Sequence, residues 1–170
     1  MKGENLRKEL KRLEKNALIS LVVEVAALRK ENLEWLSLKL QGTNGDEAAI
    51  AYFKGKIRTC IFNNSTPNLR EARKFISNFK KISKDDKLII DLMLFYVETG
   101  TKLGEEYGDL YGAFYTSMEN MFHEVIELLN KPRNTSLKEQ FMTELNWIMK
   151  HATEGWGYKD TIEEYIGELS

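Results

Sequence analysis

Leu88-Ile89-Ile90-Asp91-Leu92-Met93-Leu94-Phe95-Tyr96-Val97-Glu98 opens the stretch that decides the fold, and Met118-Glu119-Asn120-Met121-Phe122-His123-Glu124-Val125-Ile126-Glu127-Leu128-Leu129 closes it. Between them lies the break Glu105-Glu106-Tyr107-Gly108-Asp109-Leu110-Tyr111-Gly112. Phe114, Met118, Met121, Val125 and Leu128 recur every three or four residues, widened by Tyr115, Phe122, Ile126 and Leu129. That is the period of a helix with a broad apolar face. The stretch therefore reads as two helices around a tight turn, forming the middle of an all-α domain.

The same period extends outward. Leu6, Leu10 and Leu13 mark a first helix. Asn16 is a plausible N-cap for a second, about 17 to 29, which is apolar on most sides and so is expected at the centre of the core. A third runs from Glu31 to Leu40, before the loop Gln41-Gly42-Thr43-Asn44-Gly45. Ile50, Phe53, Ile57 and Ile61 place a fourth over about 46 to 62; Leu69, Ala72, Ile76 and Phe79 place a fifth over about 69 to 82. Ser83 is the expected cap of the sixth, with Asp85 and Asp86 in its first turn, where carboxylates suit the helix dipole. The seventh covers about 111 to 130 and ends before Pro132. Thr135 or Ser136 opens an eighth, Gly155-Trp156-Gly157 breaks it, and a short ninth starts near Lys159. Short connections favour antiparallel hairpins, so about eight or nine helices form a bundle or an irregular repeat-like stack. The expectation is one domain, 1–170, with possible sub-units 1–62 and 69–170 joined by the linker 63–68.

Composition narrows the class. A chain of 170 residues with 42% hydrophobic and 30% charged residues buries a sizeable core without staples. Cys60 is the only cysteine, which excludes an internal disulfide and a multi-cysteine zinc site; a small buried residue is expected there. Residues 17–28 have the length of a signal-peptide core, but Glu24 interrupts them and acidic residues flank them. They are also too short to span a bilayer. A cytoplasmic protein without membrane association is expected.

At Asp91–Glu98, Tyr107-Gly108-Asp109 and Gly155-Trp156-Gly157-Tyr158-Lys159-Asp160, the chain resembles a family of small uncharacterised bacterial proteins, catalogued as a domain of unknown function. Leu6 to Leu28 and the pair Ile57-Arg58 fit the same pattern, so the resemblance covers nearly the whole chain. Lys15-Asn16-Ala17 departs from it. The resemblance implies a bacterial, cytoplasmic, all-helical protein and carries no activity or catalytic residue.

Several constellations bear on function. Residues 54–81 hold eight basic groups, Lys54, Lys56, Arg58, Arg70, Arg73, Lys74, Lys80 and Lys81, against Glu71 alone; residues 82–129 hold ten acidic groups against three lysines. Such blocks, +7 and −7, either face each other in the fold or make a bipolar surface. Clustered cations also suit phosphate tracking, with Phe75 as a stacking aromatic. Asp91 and Glu98 share a helix face, with Lys87 and Lys102 at the spacing of i,i+4 pairs; a cleft-lining carboxylate pair is the functional alternative. His123-Glu124-Val125-Ile126-Glu127 begins like a zinc-protease helix, with Glu119 a turn earlier. An exposed His123 among acidic neighbours explains it without a metal, and no metal site is assigned. Tyr107, Asp109, Trp156, Tyr158 and Asp160 sit in the loops with most character, and a ligand site is expected there if anywhere. Asp109 is a candidate cap for the seventh helix, and Asp160 for the ninth. No phosphate-binding loop, nucleophile elbow or dinucleotide fingerprint occurs, so no cofactor is expected. The reading that follows is a non-catalytic helical module that binds a protein partner or self-associates. Nucleic-acid binding through residues 54–81 is the first alternative, and a metal-dependent enzyme on the His123/Glu127 face the second.

Overall fold

The computed structural model describes residues 3–40, 45–63, 66–108 and 110–169. Among them it contains nine α-helices and no strand. The loop expected at residues 41–44, and Asn64 and Ser65 of the linker, lie outside the described residues. Packing divides the chain into two compact units, Met1–Ala49 and Ile50–Ser170.

The first unit holds α1 (Gly3–Leu10), α2 (Lys15–Ala27) and α3 (Lys30–Lys39). A link of two residues, 28–29, joins α2 to α3, and the two helices pack together. α2 starts one residue before the expected Asn16 cap, with Glu14 as N-cap. The expectation that α2 is a core helix fails. Ala26 is its only buried residue; Ile19, Val22, Val23 and Val25 are 47–56% exposed, and Leu28 is 78% exposed. A run with no polar face predicts burial, and the other helices of the first unit leave it open.

The second unit begins within α4 (Gly45–Phe62) and continues through α5 (Leu69–Ile82), α6 (Asp86–Tyr107), α7 (Gly112–Leu129), α8 (Thr135–His151) and α9 (Tyr158–Gly167). α6 is the hub, packing against α5, α7 and α8, while α9 packs on α7 and α8. Ile50, Phe53, Ile57 and Ile61 of α4 are buried, as their spacing predicts, and the Phe53 ring meets Phe79 edge-on at 5.2 Å. Asn68 caps α5 by accepting the Glu71 N–H. The cap of α6 is Asp85, which accepts the Lys87 N–H. Ser83, the expected cap, instead accepts the Asp85 N–H through its hydroxyl. Cys60 is buried, and burial pushes its thiol upward, with Glu71 adding to the effect.

Close approach of α6 and α7 rests on Gly100. A Cβ there would lie 2.2 Å from Met118 Sδ and 2.9 Å from its Cε, and Met118 is fully buried. Buried polar groups along this seam are paired: Tyr96 with Ser117 at 2.7 Å, and Tyr158 with Thr101 at 2.8 Å. Unpaired hydroxyls at such depth cost about 1–3 kcal/mol each, so these pairs fix the relative register of α6, α7 and α9.

Candidate functional site

The two loops singled out by sequence come together. α6 ends at Tyr107, and Gly108 turns the chain at φ 75° with its N–H on the Gly104 carbonyl. Tyr115, in the first turn of α7, donates its hydroxyl to the Gly108 carbonyl at 3.2 Å. The same oxygen accepts the Thr153 hydroxyl at 3.3 Å, from the loop that follows α8. Residues Gly155–Gly157 form a 3-10 turn in which Trp156 adopts φ 59°, ψ 18°. Its ring lies against Gly112, where a Cβ would stand 3.0 Å from Trp156 Cε3. The junction is thus tied by one tyrosine hydroxyl and by one ring on one glycine.

Around it the predicted residues divide. Tyr158 is fully buried, its ring 5.3 Å from that of Tyr115. Burial drives its hydroxyl far above the ordinary tyrosine range. Trp156, Tyr107 and Tyr111 remain 64%, 66% and 44% exposed. Asp160 is exposed in the first turn of α9, whose N-cap is Gly157, so it does not cap that helix. Asp109 lies outside the described residues; the N-cap of α7 is Tyr111, without a side-chain capping bond. Across the loop, Lys159 meets Glu154 at 2.6 Å.

The basic stretch does not form one cationic face. Lys80 reaches Glu124 of α7 at 2.7 Å, with Arg73 at 3.7 Å from the same carboxylate. Lys54 reaches Asp91 of α6 at 2.7 Å, and Lys74 pairs with Glu71. Lys56 and Arg58 lie over the rings of Tyr52 and Phe95, and Lys81 donates to Asn78. Phe75, the expected stacking aromatic, is half-buried with its ring 6.4 Å from Phe53. The opposite blocks therefore meet inside the second unit. Arg70 and Arg73 also border an open groove of about 770 Å³ with Thr116 and Asn120.

The carboxylates follow the same logic. The expected Glu98–Lys102 pair forms, and Lys102 also lies 4.9 Å from the Trp147 ring. Asp91 is held by Lys54 rather than by Lys87. His123 is not an exposed residue among carboxylates: it is half-buried, its ring 4.7 Å from Tyr165 of α9. Burial raises the carboxyl of Glu119. Among the described residues no three His, Cys, Asp or Glu side chains gather so as to hold a metal ion.

Two features are not anticipated by the sequence. One is a cleft of about 960 Å³ where the ends of α5, α6, α7 and α8 meet. It mixes Lys84, Lys87 and Lys131 with Glu124 and Glu127. Asp86 sits in it, bound to Arg133 at 2.7 Å and Asn134 at 2.9 Å. The other is the open face of α2. Leu18, Leu21, Val25 and Leu28 repeat at spacings of three, four and three, the a/d pattern of a helix seam; that periodicity is the signal in the sequence that could have found it.

The chain belongs to a family of unknown function, DUF6155, whose profile matches residues 1–168. The resemblance read from the sequence is met at this level, and the helical fold it implied is the one observed. No curated protein and no solved structure matches the chain. Family membership supplies no activity, so the functional reading rests on the geometry.

Proposed function

We propose that this chain is a self-associating helical module in which α2 is the element covered by a second copy. The observation that carries this reading is the exposure of an apolar helix. Among the described residues of the first unit only Ala26 and Ala49 are buried apolar side chains. A helical segment of this length with no core of its own gains too little burial to offset its ordering entropy. Exposed contiguous apolar surface of this kind marks an interface.

Magnitude favours a second copy of the chain. Ile19, Leu21, Val22, Val23, Val25 and Leu28 are 36–78% exposed, which is on the order of 600 Å² of mostly apolar surface, close to the share each partner contributes to a standard interface. Within α2 only Lys15 and Glu24 are charged, so nothing in the helix selects a partner of a particular charge. A seam of Leu18, Leu21, Val25 and Leu28 is complementary to itself, as a two-fold interface requires. No described helix is long and apolar enough to cross a membrane.

The charge blocks are paired in part within the second unit, at Lys54–Asp91 and Lys80–Glu124, and this reading does not rest on them. A cytoplasmic setting suits a protein whose lone cysteine is buried. Hydrogen exchange tests the reading. Amides of α2 are expected to exchange slowly in concentrated solution and faster on dilution; protection of α2 that is independent of concentration contradicts it.

A further inference from the structure

The groove of about 770 Å³ lined by α5 and α7 is not used by the assembly proposed above. From α5 it takes Leu69, Arg70 and Arg73, whose spacings put them on one side of that helix. From α7 it takes Ala113, Thr116, Ser117 and Asn120, again at helical spacings. Small-molecule sites run from about 300 to 1,000 Å³, and this groove falls among them. Ser117 is its buried member, with its hydroxyl on that of Tyr96 at 2.7 Å. The other polar groups are available to a ligand. Arginine can only donate, and threonine and asparagine can do so too. Among the described residues, Arg70, Thr116 and Asn120 make no side-chain hydrogen bond or ion pair. Arg73 stands 3.7 Å from Glu124, beyond hydrogen-bonding distance, while Lys80 holds that carboxylate at 2.7 Å.

Two guanidiniums, a hydroxyl and an amide on one groove are a donor set for an anion. Among the described residues no carboxylate lines it. The first turn of α7 holds no acidic side chain and its N-cap makes no side-chain bond, so the helix dipole adds to the positive potential. A phosphate monoester carries close to two charges at neutral pH on three terminal oxygens, and it takes more donors than the two oxygens of a carboxylate. Guanidiniums also meet phosphate in bidentate fashion. A nucleic-acid backbone fits less well, because it needs cations along its length. Lys54, Lys74 and Lys80 of the same basic block are held by Asp91, Glu71 and Glu124. Leu69 and Ala113 add apolar contact for the remainder of a ligand. We propose that the groove binds the phosphate monoester of a small organic molecule. Arg70 and Arg73 hold its phosphoryl group, and Thr116 and Asn120 donate to the oxygens that remain.

The full-length chain, labelled with nitrogen-15, is titrated at constant ionic strength with phenyl phosphate, inorganic phosphate, benzoate and a single-stranded oligothymidylate. Millimolar phenyl phosphate is expected to shift the amides of Arg70, Arg73, Ala113, Thr116 and Asn120. Inorganic phosphate is expected to shift the same amides with several-fold weaker affinity, and benzoate to bind at least tenfold more weakly. Arg70→Ala is expected to weaken phenyl phosphate binding at least tenfold, and Thr116→Val several-fold. Both side chains are exposed, so both variants are expected to melt with the parent and to keep its oligomeric state. The proposal is overturned if phenyl phosphate shifts nothing, if its shifts centre elsewhere, or if Arg70→Ala binds it as well as the parent does. Equal affinity for benzoate overturns the choice of phosphate, and equal affinity for inorganic phosphate overturns the choice of an ester. Tighter binding of oligothymidylate, with shifts extending to Lys54 and Lys56, overturns it in favour of nucleic acid. No residue of α2 enters the proposal, so its failure leaves self-association standing.

Discussion

Replacing Gly100 by alanine measures how tightly α6 and α7 are pressed together. The new Cβ would stand 2.2 Å from Met118 Sδ and 3.1 Å from its Cγ. Met118 is a flexible side chain, but it is fully buried, so the displaced sulfur has no open space to enter. Overpacking of this kind costs about 1–3 kcal/mol. Alanine returns about 0.5–1 kcal/mol through helix propensity. The net expectation is a loss of about 1 kcal/mol. Gly55 is the internal control: it lies in α4, and a Cβ added there would meet nothing within 4 Å, so Gly55→Ala is expected to gain about 0.5–1 kcal/mol. The two substitutions should differ by about 2 kcal/mol, or about 1 M in urea midpoint for a slope near 2 kcal/mol/M. Protein concentration must be held constant, because assembly adds to apparent stability. The double variant Gly100→Ala/Met118→Ala should lose at least about 1 kcal/mol less than the sum of its parts, since the new methyl enters the vacated space. Equal stabilisation by both glycine substitutions would refute the close α6–α7 contact.

Two further outcomes follow from the charged and buried polar groups. Glu124→Gln releases Lys80 and Arg73, but all three side chains are 32–39% exposed, so the loss should stay below about 1 kcal/mol and shrink in high salt; urea titrations at two ionic strengths check this. Burial pushes Tyr96 up to about 12, against the opposing hydrogen bond from Ser117, and raises Tyr158 as well. Both folded values lie above the ordinary tyrosine value of 10, so their contribution is whole below pH 10 and is lost as the unfolded chain ionises first. Between pH 10 and 12 the helical circular dichroism and the last tyrosinate absorbance are expected to change together. Full tyrosine ionisation near pH 10 with the helices intact would contradict their burial.

Periodicity made most of the second unit legible, because there each apolar face has an answering face in the same chain. α4, α5, α7, α8 and α9 start within a residue or two of where their spacing puts them, whereas α6 continues through Gly100 and Gly104 to Tyr107, beyond the end in the early 100s that those glycines suggest; the buried faces of α4, α5 and α7 are the predicted ones. Caps were less legible. Ser83, Asp85 and Asp86 are all competent near the start of α6, and only the backbone conformation selects Asp85. Ion pairs were least legible. Asp91 has Lys87 one turn away, yet the partner comes from α4, a separation along the chain that no local rule anticipates. The Tyr107 and Trp156 loops were recognisable by composition, and their meeting depends on the tertiary ties at Tyr115 and Gly112. The α2 error has a different source. Hydropathy reports that a helix avoids water, and it does not report whether the same chain or another one provides the cover.

The most direct test of self-association is sedimentation velocity of the intact chain from low micromolar to several hundred micromolar, beside Leu21→Glu/Val25→Glu. The parent is expected to sediment as a dimer or larger species at the upper end. The double variant is expected to remain monomeric throughout with its second unit folded, because two carboxylates placed in the seam would be buried without partners. A parent that stays monomeric at several hundred micromolar, with α2 still helical and open to exchange, would contradict the account.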